Sequence, residues 1–478
     1  MLIRFITGFA FLLLLDQTAF AQKEAMSTSI RQREQATWEI AFKIWNLAEP
    51  GYQEVESSKL LADLLEHAGF QVERGVADIP TAFTATFGTG KPVIAILGEY
   101  DALPGLSQQA VPEQLPRERA TYGHACGHHL FGTASASAAI AVAEQIKSGN
   151  LSGTVRFYGC PAEEGGSGKT FMVGAGLFND VDAAFHWHPS GRNTAGDSSC
   201  LSRAAVKFRF HGRSAHAAGA PEQGRSALDA IELTCHASEL LREHTPDFTR
   251  IHHVITSGGS APNVVPDFAE VFFYIRHPKA ETVRELYPRL VKCAQAGALA
   301  TETKLEEIYL GGTMELLPND RLAEVALANL RQLNDLKYDP QQTEFAQRIK
   351  QTLVKPQPLE SINQVTDTSG EVGKGSTDVG DVSWVVPTAG FTTACFVPGT
   401  TSHSWQAVAA SGTSIGKQGM QLAARTLAAT VWDLMKQPDV ISQAKAEHTQ
   451  RLAGRKYEPL LLPGQKPPLD YRNSPGNQ

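Results

Sequence analysis

Two strand-like runs, Pro92–Leu97 and Thr154–Tyr158, flank a helix built of small residues, Gly132–Ile146. That alternation points to an α/β architecture, a mixed but mostly parallel sheet with helices on both faces. The residues directly after each strand matter most. Glu99-Tyr100-Asp101 follows the first run and Glu163-Glu164 follows the second. Sites in such sheets lie beyond the carboxyl ends of the strands, so both acidic groups are expected in one crevice. Upstream, Arg31 to Phe70 reads as helical: Trp38, Ile40, Ala41, Ile44 and Leu47 recur at helical spacing, and Leu60, Leu61, Leu64 and Leu65 form a second apolar face. Gly69 closes it.

The texture changes near Cys200. Ala204–Phe210 alternates, Ser226–Leu241 is helical, and Val254–Ile255 and Ala269–Arg276 read as strands. Glu281–Ala300 is a helix and Lys304–Leu310 a strand. This βαββαβ order fits a compact inserted α+β domain of the ferredoxin-like kind. The expected divisions are a leader over 1–21, one catalytic domain in two pieces (22–200 and 313–440), the insert over 201–312, and an extension over 441–478. The extension, rich in Pro and charge after Lys436, reads as irregular. With 478 residues, two domains are the natural prior.

Composition excludes some classes. The net charge is −7 and there is no polybasic run, which argues against nucleic acid as the partner. Arg4, the apolar run Phe5–Leu15 and Ala19-Phe20-Ala21 read as an export leader cut before Gln22. The run is shorter than the roughly 20 residues that span a bilayer. The expected location is therefore periplasmic or secreted, with no membrane attachment after cleavage. The six cysteines are scattered, at 126, 160, 200, 235, 293 and 395. If Cys126 binds metal, five remain, so at least one thiol stays unpaired within the chain.

Four turn-borne segments carry the chemistry. Gly123-His124-Ala125-Cys126-Gly127-His128-His129 can turn a thiolate and an imidazole toward one ion; read alone, it fits equally a buried thiol beside surface histidines. In Pro161-Ala162-Glu163-Glu164-Gly165-Gly166, one acid can bind metal while its neighbour handles protons. Phe185-His186-Trp187-His188-Pro189 offers two histidines, and strand alternation is taken to turn only one of them to the site. His403 lies in the turn Pro398–Trp405. Together, one thiolate, three imidazoles and one carboxylate suit a zinc- or manganese-type ion. Five ligands exceed the needs of one four-coordinate site with an open position, so two divalent ions sharing Cys126 are expected. Two metals lower the pKa of water toward neutrality and polarise the scissile carbonyl. Glu163 then takes the proton and delivers it to the leaving nitrogen. Gly165-Gly166-Ser167-Gly168 lacks the spacing of a serine nucleophile elbow.

These segments, with GEYDALPG, GRSAHAAGAPEQGRSALDA, APNVVPDFAEVFFYIR and GSTDVGDVSWVVPT, run in order from about residue 45 to 430. In that order the chain resembles the metallopeptidase family that includes aminoacylase, bacterial glutamate carboxypeptidase and the plant auxin-conjugate amidohydrolases, in the branch whose bridging ligand is a cysteine. The resemblance implies a zinc-peptidase-like catalytic domain with an inserted dimerisation domain. It implies that Cys126 bridges two metal ions, that His128, Glu164, His188 and His403 complete the coordination, and that Glu163 is the general acid/base. His216, in GRSAHAAGAP, would reach into the partner subunit's site and stabilise the oxyanion. Asn263 and Arg276 would hold the substrate's terminal carboxylate. His129 stands where that branch commonly has Asp, which makes it a supporting group or an extra ligand. Glu99 and Asp101 are expected behind the ligands. The implied substrate is an N-acyl or N-aroyl amino acid, aminobenzoyl-glutamate among them, and the implied assembly is a homodimer or half of a heterodimer. A dipeptidase or carboxypeptidase with the same metals is the alternative. A non-catalytic member of a heteromeric pair is a third reading, against which the intact Glu163 counts.

Overall fold

A computed structural model of the protein describes residues 21–118 and 120–472. The expected leader lies outside the described residues apart from Ala21. A helix over 21–32 follows directly, and its Met26 and Ile30 are buried in the main core. No helix of the described residues is long and apolar enough to cross a membrane.

The larger sheet has eight strands in the spatial order Gln71–Arg74, Phe83–Thr89, Gly153–Cys160, Val93–Glu99, Ala183–Ser190, Thr388–Ala394, Asn193–Ala195 and Val365–Asp367. The four central strands run parallel to one another, and antiparallel pairings flank them. The sheet is buried on both faces because its central strands are apolar on both. In Val93–Glu99, Ile94 and Ile96 point to one side and Val93, Ala95 and Leu97 to the other. The first side packs under the helices Glu34–Leu47, Val55–His67, His128–Lys147, Asp320–Leu333 and Ser414–Lys436. The second packs against Phe171, Met172 and Val173 of the helix Gly168–Gly174 and Val379 and Val382 of the helix Val379–Ser383. Each large side chain buried this way contributes about 1.5–3 kcal/mol. The upstream helical stretch is two helices: it breaks at Ala48, in the left-handed region, and Pro50, and resumes at Val55.

The smaller sheet is wholly antiparallel, in the order Arg250–Ser257, Phe268–His277, Ser202–His211, Lys304–Thr313. With the helices Ala227–Arg242 and Ala280–Thr301 it gives the βαββαβ order of a ferredoxin-like fold. Both helices cover one face, where Ala204, Val206, Phe208, Phe210, Val271 and Phe273 are buried. The opposite face carries Arg203, Lys207, Tyr274 and Arg276, and three of these, Arg203, Tyr274 and Arg276, reach the crevice of the large sheet.

The chain after Lys436 departs from the irregular extension expected. Pro438–Leu452 is a helix. Its Pro sits in the first turn, where no backbone donor is lost, and Ile441, Ala444 and His448 bury one stripe at spacings of three and four. Beyond it the chain crosses the small sheet, where Lys207 Nζ donates to the Tyr471 carbonyl at 3.2 Å.

Candidate active site

The chemical groups of the crevice gather at the carboxyl edge of the parallel strands. Glu99 ends its strand directly opposite Cys160, the last residue of the neighbouring strand, and Glu163-Glu164 turns back three residues later. This turn is forced: Ala162 has φ 57° and Ser167 φ 60°. It is held from below by Glu54, whose carboxylate accepts from the Ala162 amide at 2.8 Å and the Thr81 hydroxyl at 2.9 Å. Tyr52 donates to the Gly166 carbonyl at 2.7 Å. On the other wall, Gly127 (φ 75°) starts the helix that carries His128, and a Cβ there would lie 2.8 Å from Pro189. His403, also in the left-handed region, is fastened by its amide to the Ala125 carbonyl at 3.1 Å.

The result is a cavity of about 730 Å³ lined by Glu99, Cys126, Glu163, Glu164, His188 and His403 together with Arg203, Tyr274, Arg276 and Arg472. Two triads share one sulfur. Cys126, His128 and His188 place their donor atoms within 4.8 Å of one another, and so do Cys126, Glu164 and His403. A third group, Glu99, His128 and Glu163, lies beside them. His403 Nε2 is 3.1 Å from Cys126 Sγ and 3.3 Å from Glu164 Oε1.

The hydrogen bonds leave metal-facing atoms bare. His128 Nδ1 donates to Asp101 Oδ1 at 2.8 Å, and the other oxygen of Asp101 accepts from the Glu164 amide at 2.8 Å. His188 Nδ1 faces the Pro189 carbonyl at 2.7 Å. Fixing Nδ1 in this way turns Nε2 toward a ligand. His128 Nε2 and Glu164 Oε1 are buried and complete no hydrogen bond among the described residues. Orphaned polar atoms of this kind are costly unless a partner arrives. A soft sulfur, imidazoles and a carboxylate therefore fit divalent ions of the zinc or manganese type.

Electrostatics point the same way. Burial, then Glu164 and Glu163, push the Cys126 thiol well up, so a nearby cation is needed to favour the thiolate. Burial would lower the pKa of His128, but Glu99 and Asp101 outweigh it and bring it to about 10. Burial also raises the Glu163 carboxyl, reinforced by Glu164 and Glu99. Burial opposes ionisation of Glu164, yet contact with His403 holds it well below the usual range. Adjacent acids thus separate into a proton-holding group and an anionic one, as a general base beside a ligand requires.

Some expected residues lie elsewhere. Both His186 and His188 line the cavity, against the expectation that only one would. Residues two apart on a strand share a face, and Phe185 and Trp187 take the apolar side. His186 lies over Gly390, where a Cβ would collide with its ring. His129 is outside the cavity, its Nε2 on the Ser411 carbonyl at 3.2 Å and its ring 4.9 Å from His124. His216 and Asn263 are exposed together at the edge of the small sheet, where the Ala217 amide donates to the Asn263 carbonyl. His216 Nδ1 accepts from the amides of Ala218 and Gly219, so Nε2 is free to donate outward.

Three parts carry no clear mark in the sequence. Lys169 is fully buried and bonds Glu99 Oε1 and Asp378 Oδ1, each at 2.6 Å. Its one signal is a lone charge just before the apolar run Phe171–Val173. Tyr471 and Arg472 both donate to the Glu164 carbonyl from the far end of the chain. Arg203 donates to Ser167 Oγ at 2.8 Å.

Known proteins share this arrangement's framework. Residues 202–302 match the family model of a peptidase dimerisation domain, M20_dimer. The chain is 43% identical to a p-aminobenzoyl-glutamate hydrolase subunit of Escherichia coli (strain K12), covering 86% of this chain and 92% of that one. It is 28% identical to the Xaa-Arg dipeptidase of Homo sapiens over 86% of this chain and 88% of the other. Among solved structures, a dinuclear metal-binding M20 peptidase of Bacillus subtilis superposes with a TM-score of 0.54 at 18% identity, covering 85% of this chain and 99% of that one.

Proposed function

This chain belongs to the M20 family of peptidases and is an amide hydrolase, and from that premise we propose that it cleaves N-acyl or N-aroyl amino acids, aminobenzoyl-glutamate foremost. One observation carries the reading: Cys126 is common to two ligand triads beside an acid that is not itself in either. Cys126, His128 and His188 would hold one ion and Cys126, Glu164 and His403 the other. Bound zinc or manganese ions supply water activation and polarisation of the scissile carbonyl. Glu163, raised by burial and its acidic neighbours, takes the proton of the attacking water and returns it to the leaving nitrogen. Asp101 fixes the His128 ring through Nδ1, and Lys169 offsets the charge of Glu99 beside it.

The protein works as a homodimer paired through the small sheet, or as half of a heterodimer. The partner subunit's His216 then donates from Nε2 to the developing oxyanion; its exposure and its place outside its own cavity support this. Arg276, on the cavity wall, takes the terminal carboxylate, with Asn263 contributing across the same interface. The leader directs export and is removed before Gln22. An acylated amino group fits better than the free one a dipeptidase would accept, because the acids of the cavity are engaged around the ligand triads and the remaining wall is basic.

The test is hydrolysis of a panel of acyl-amino acids and dipeptides by Zn- and Mn-loaded protein. Cleavage of the acyl-amino acids, lost on chelation and restored by metal, is expected. Turnover that survives chelation, or cleavage of dipeptides alone, would overturn the reading.

A further inference from the structure

The cavity wall carries positive charge that the described residues leave unneutralised. Arg203, Arg276 and Arg472 all line it, and none of the three has a carboxylate within ion-pair distance among the described residues. Their donors are spent sparingly. Arg203, 4% exposed, gives one hydrogen bond to Ser167, and Arg472 gives its own to a backbone carbonyl. The Nε atoms of Arg276 and Arg472 are buried with no hydrogen-bond partner among the described residues. A guanidinium that is shielded from water and unpaired is costly, and an anion is the group that relieves it.

The three are arranged rather than scattered. The guanidinium carbons of Arg203 and Arg276 lie 4.7 and 5.4 Å from the centre of the Tyr274 ring, so one aromatic positions both. Arg472 rests on Tyr471, 4.7 Å from that ring's centre. A Cβ at Gly165 would lie 2.9 Å from the Tyr274 hydroxyl and 3.9 Å from Arg203 Nη1. Arg203 and Arg472 therefore approach the Glu163-Glu164-Gly165 turn from two sides, one from the small sheet and one from the tail. One arginine suffices for a single terminal carboxylate. Three call for a second anionic group on the same ligand.

We infer that Arg203 and Arg472 form a second carboxylate subsite beside Arg276, so that the enzyme selects amino acids with an acidic side chain, and that the C-terminal tail supplies half of this specificity. The inference rests on the reading of the site as an acyl-amino acid amidohydrolase. A subsite built to pair a buried charge penalises an uncharged analogue heavily, because its own groups are then left unpaired.

The test uses metal-loaded, full-length protein with N-benzoyl-glutamate and N-benzoyl-glutamine, which differ by one charge and almost nothing in size. The wild type should favour the glutamate compound by about 100-fold or more in kcat/KM. Arg472→Gln and Arg203→Gln should each cut that ratio about tenfold or more, mainly through KM for the glutamate compound, and Arg472→Lys should recover part of it. Arg472 lies in the tail rather than the core, so its variants test the idea even if Arg203→Gln fails to fold. Equal losses on both compounds, or an unchanged ratio, would overturn the subsite. Calorimetric binding of both compounds to the Glu163→Gln protein separates the two readings. If neither compound is cleaved by the wild type, yet the glutamate compound binds tighter in a manner dependent on Arg472, the hydrolase reading falls and the subsite stands. Similar cleavage of both compounds does the reverse.

Discussion

The two sheets spend their faces differently. In the large sheet both faces of the central strands are apolar over most of their length, so reactive groups stand only toward the carboxyl ends, as Glu99, His186 and His188 do. The rest of its chemistry sits in turns, that after Cys160, where Ala162 and Ser167 are left-handed, and that of His403, itself left-handed. The small sheet buries one face under two helices, and its opposite face, packed partly on the second core and under the tail, presents Arg203, Tyr274 and Arg276 to the cavity directly from strand positions. Buried parallel strands thus concentrate reacting groups at one edge, while the antiparallel sheet supplies a binding wall. The first region should govern the chemical step and the integrity of the core, the second the fit of the substrate.

The largest effect should come from the edge of the large sheet. Glu163→Gln removes the proton carrier without changing shape, and turnover should fall by up to about 10⁴-fold while metal analysis still finds the ions in place. Near-normal turnover would break the comparison outright. Next comes the floor below that edge. Lys169→Met strands the buried carboxylates of Glu99 and Asp378 and should cost about 3–5 kcal/mol in denaturant unfolding. A stable variant would mean that one of those acids is protonated in the native protein. The small sheet should then show its separate role: His216→Ala should lower kcat by about 10²–10³-fold with metal content unchanged. Loss of metal instead would place His216 among the ligands. The smallest effect sharpens the boundary between ligand and support. Asp101→Asn should weaken metal affinity about 10–100-fold, read by competition with a chelating dye, with the fold intact.

Much of this architecture can be read from local pattern. Val93–Glu99 and the helix Ala227–Arg242 lie within two residues of their sequence expectations, because apolar spacing and the cap at Ser226 act over a few residues. Cys126, His128, His403 and the adjacent acids can be picked out because glycine-bearing turns mark them. What stays hidden depends on distance along the chain. Nothing near Lys169 reveals that Asp378, 209 residues later, neutralises it. Tyr471 and Arg472 sit in a segment whose prolines and charges carry no periodic signal, so only tertiary contact with Glu164 gives them meaning. The orientation of His186 is a matter of period: a two-residue step returns a strand side chain to the same face, and the ring fits only because residue 390 is glycine.

The hydrogen bonds from residues 471 and 472 to the Glu164 carbonyl also have a consequence in time. Synthesis runs from the amino end, so the turn bearing the two acids is made some three hundred residues before the pieces that brace it. A growing chain can complete its sheets and still present an unfinished pocket, and a proteolytic nick or a fused tag near position 472 would act as a lesion at the catalytic centre rather than at a loose end.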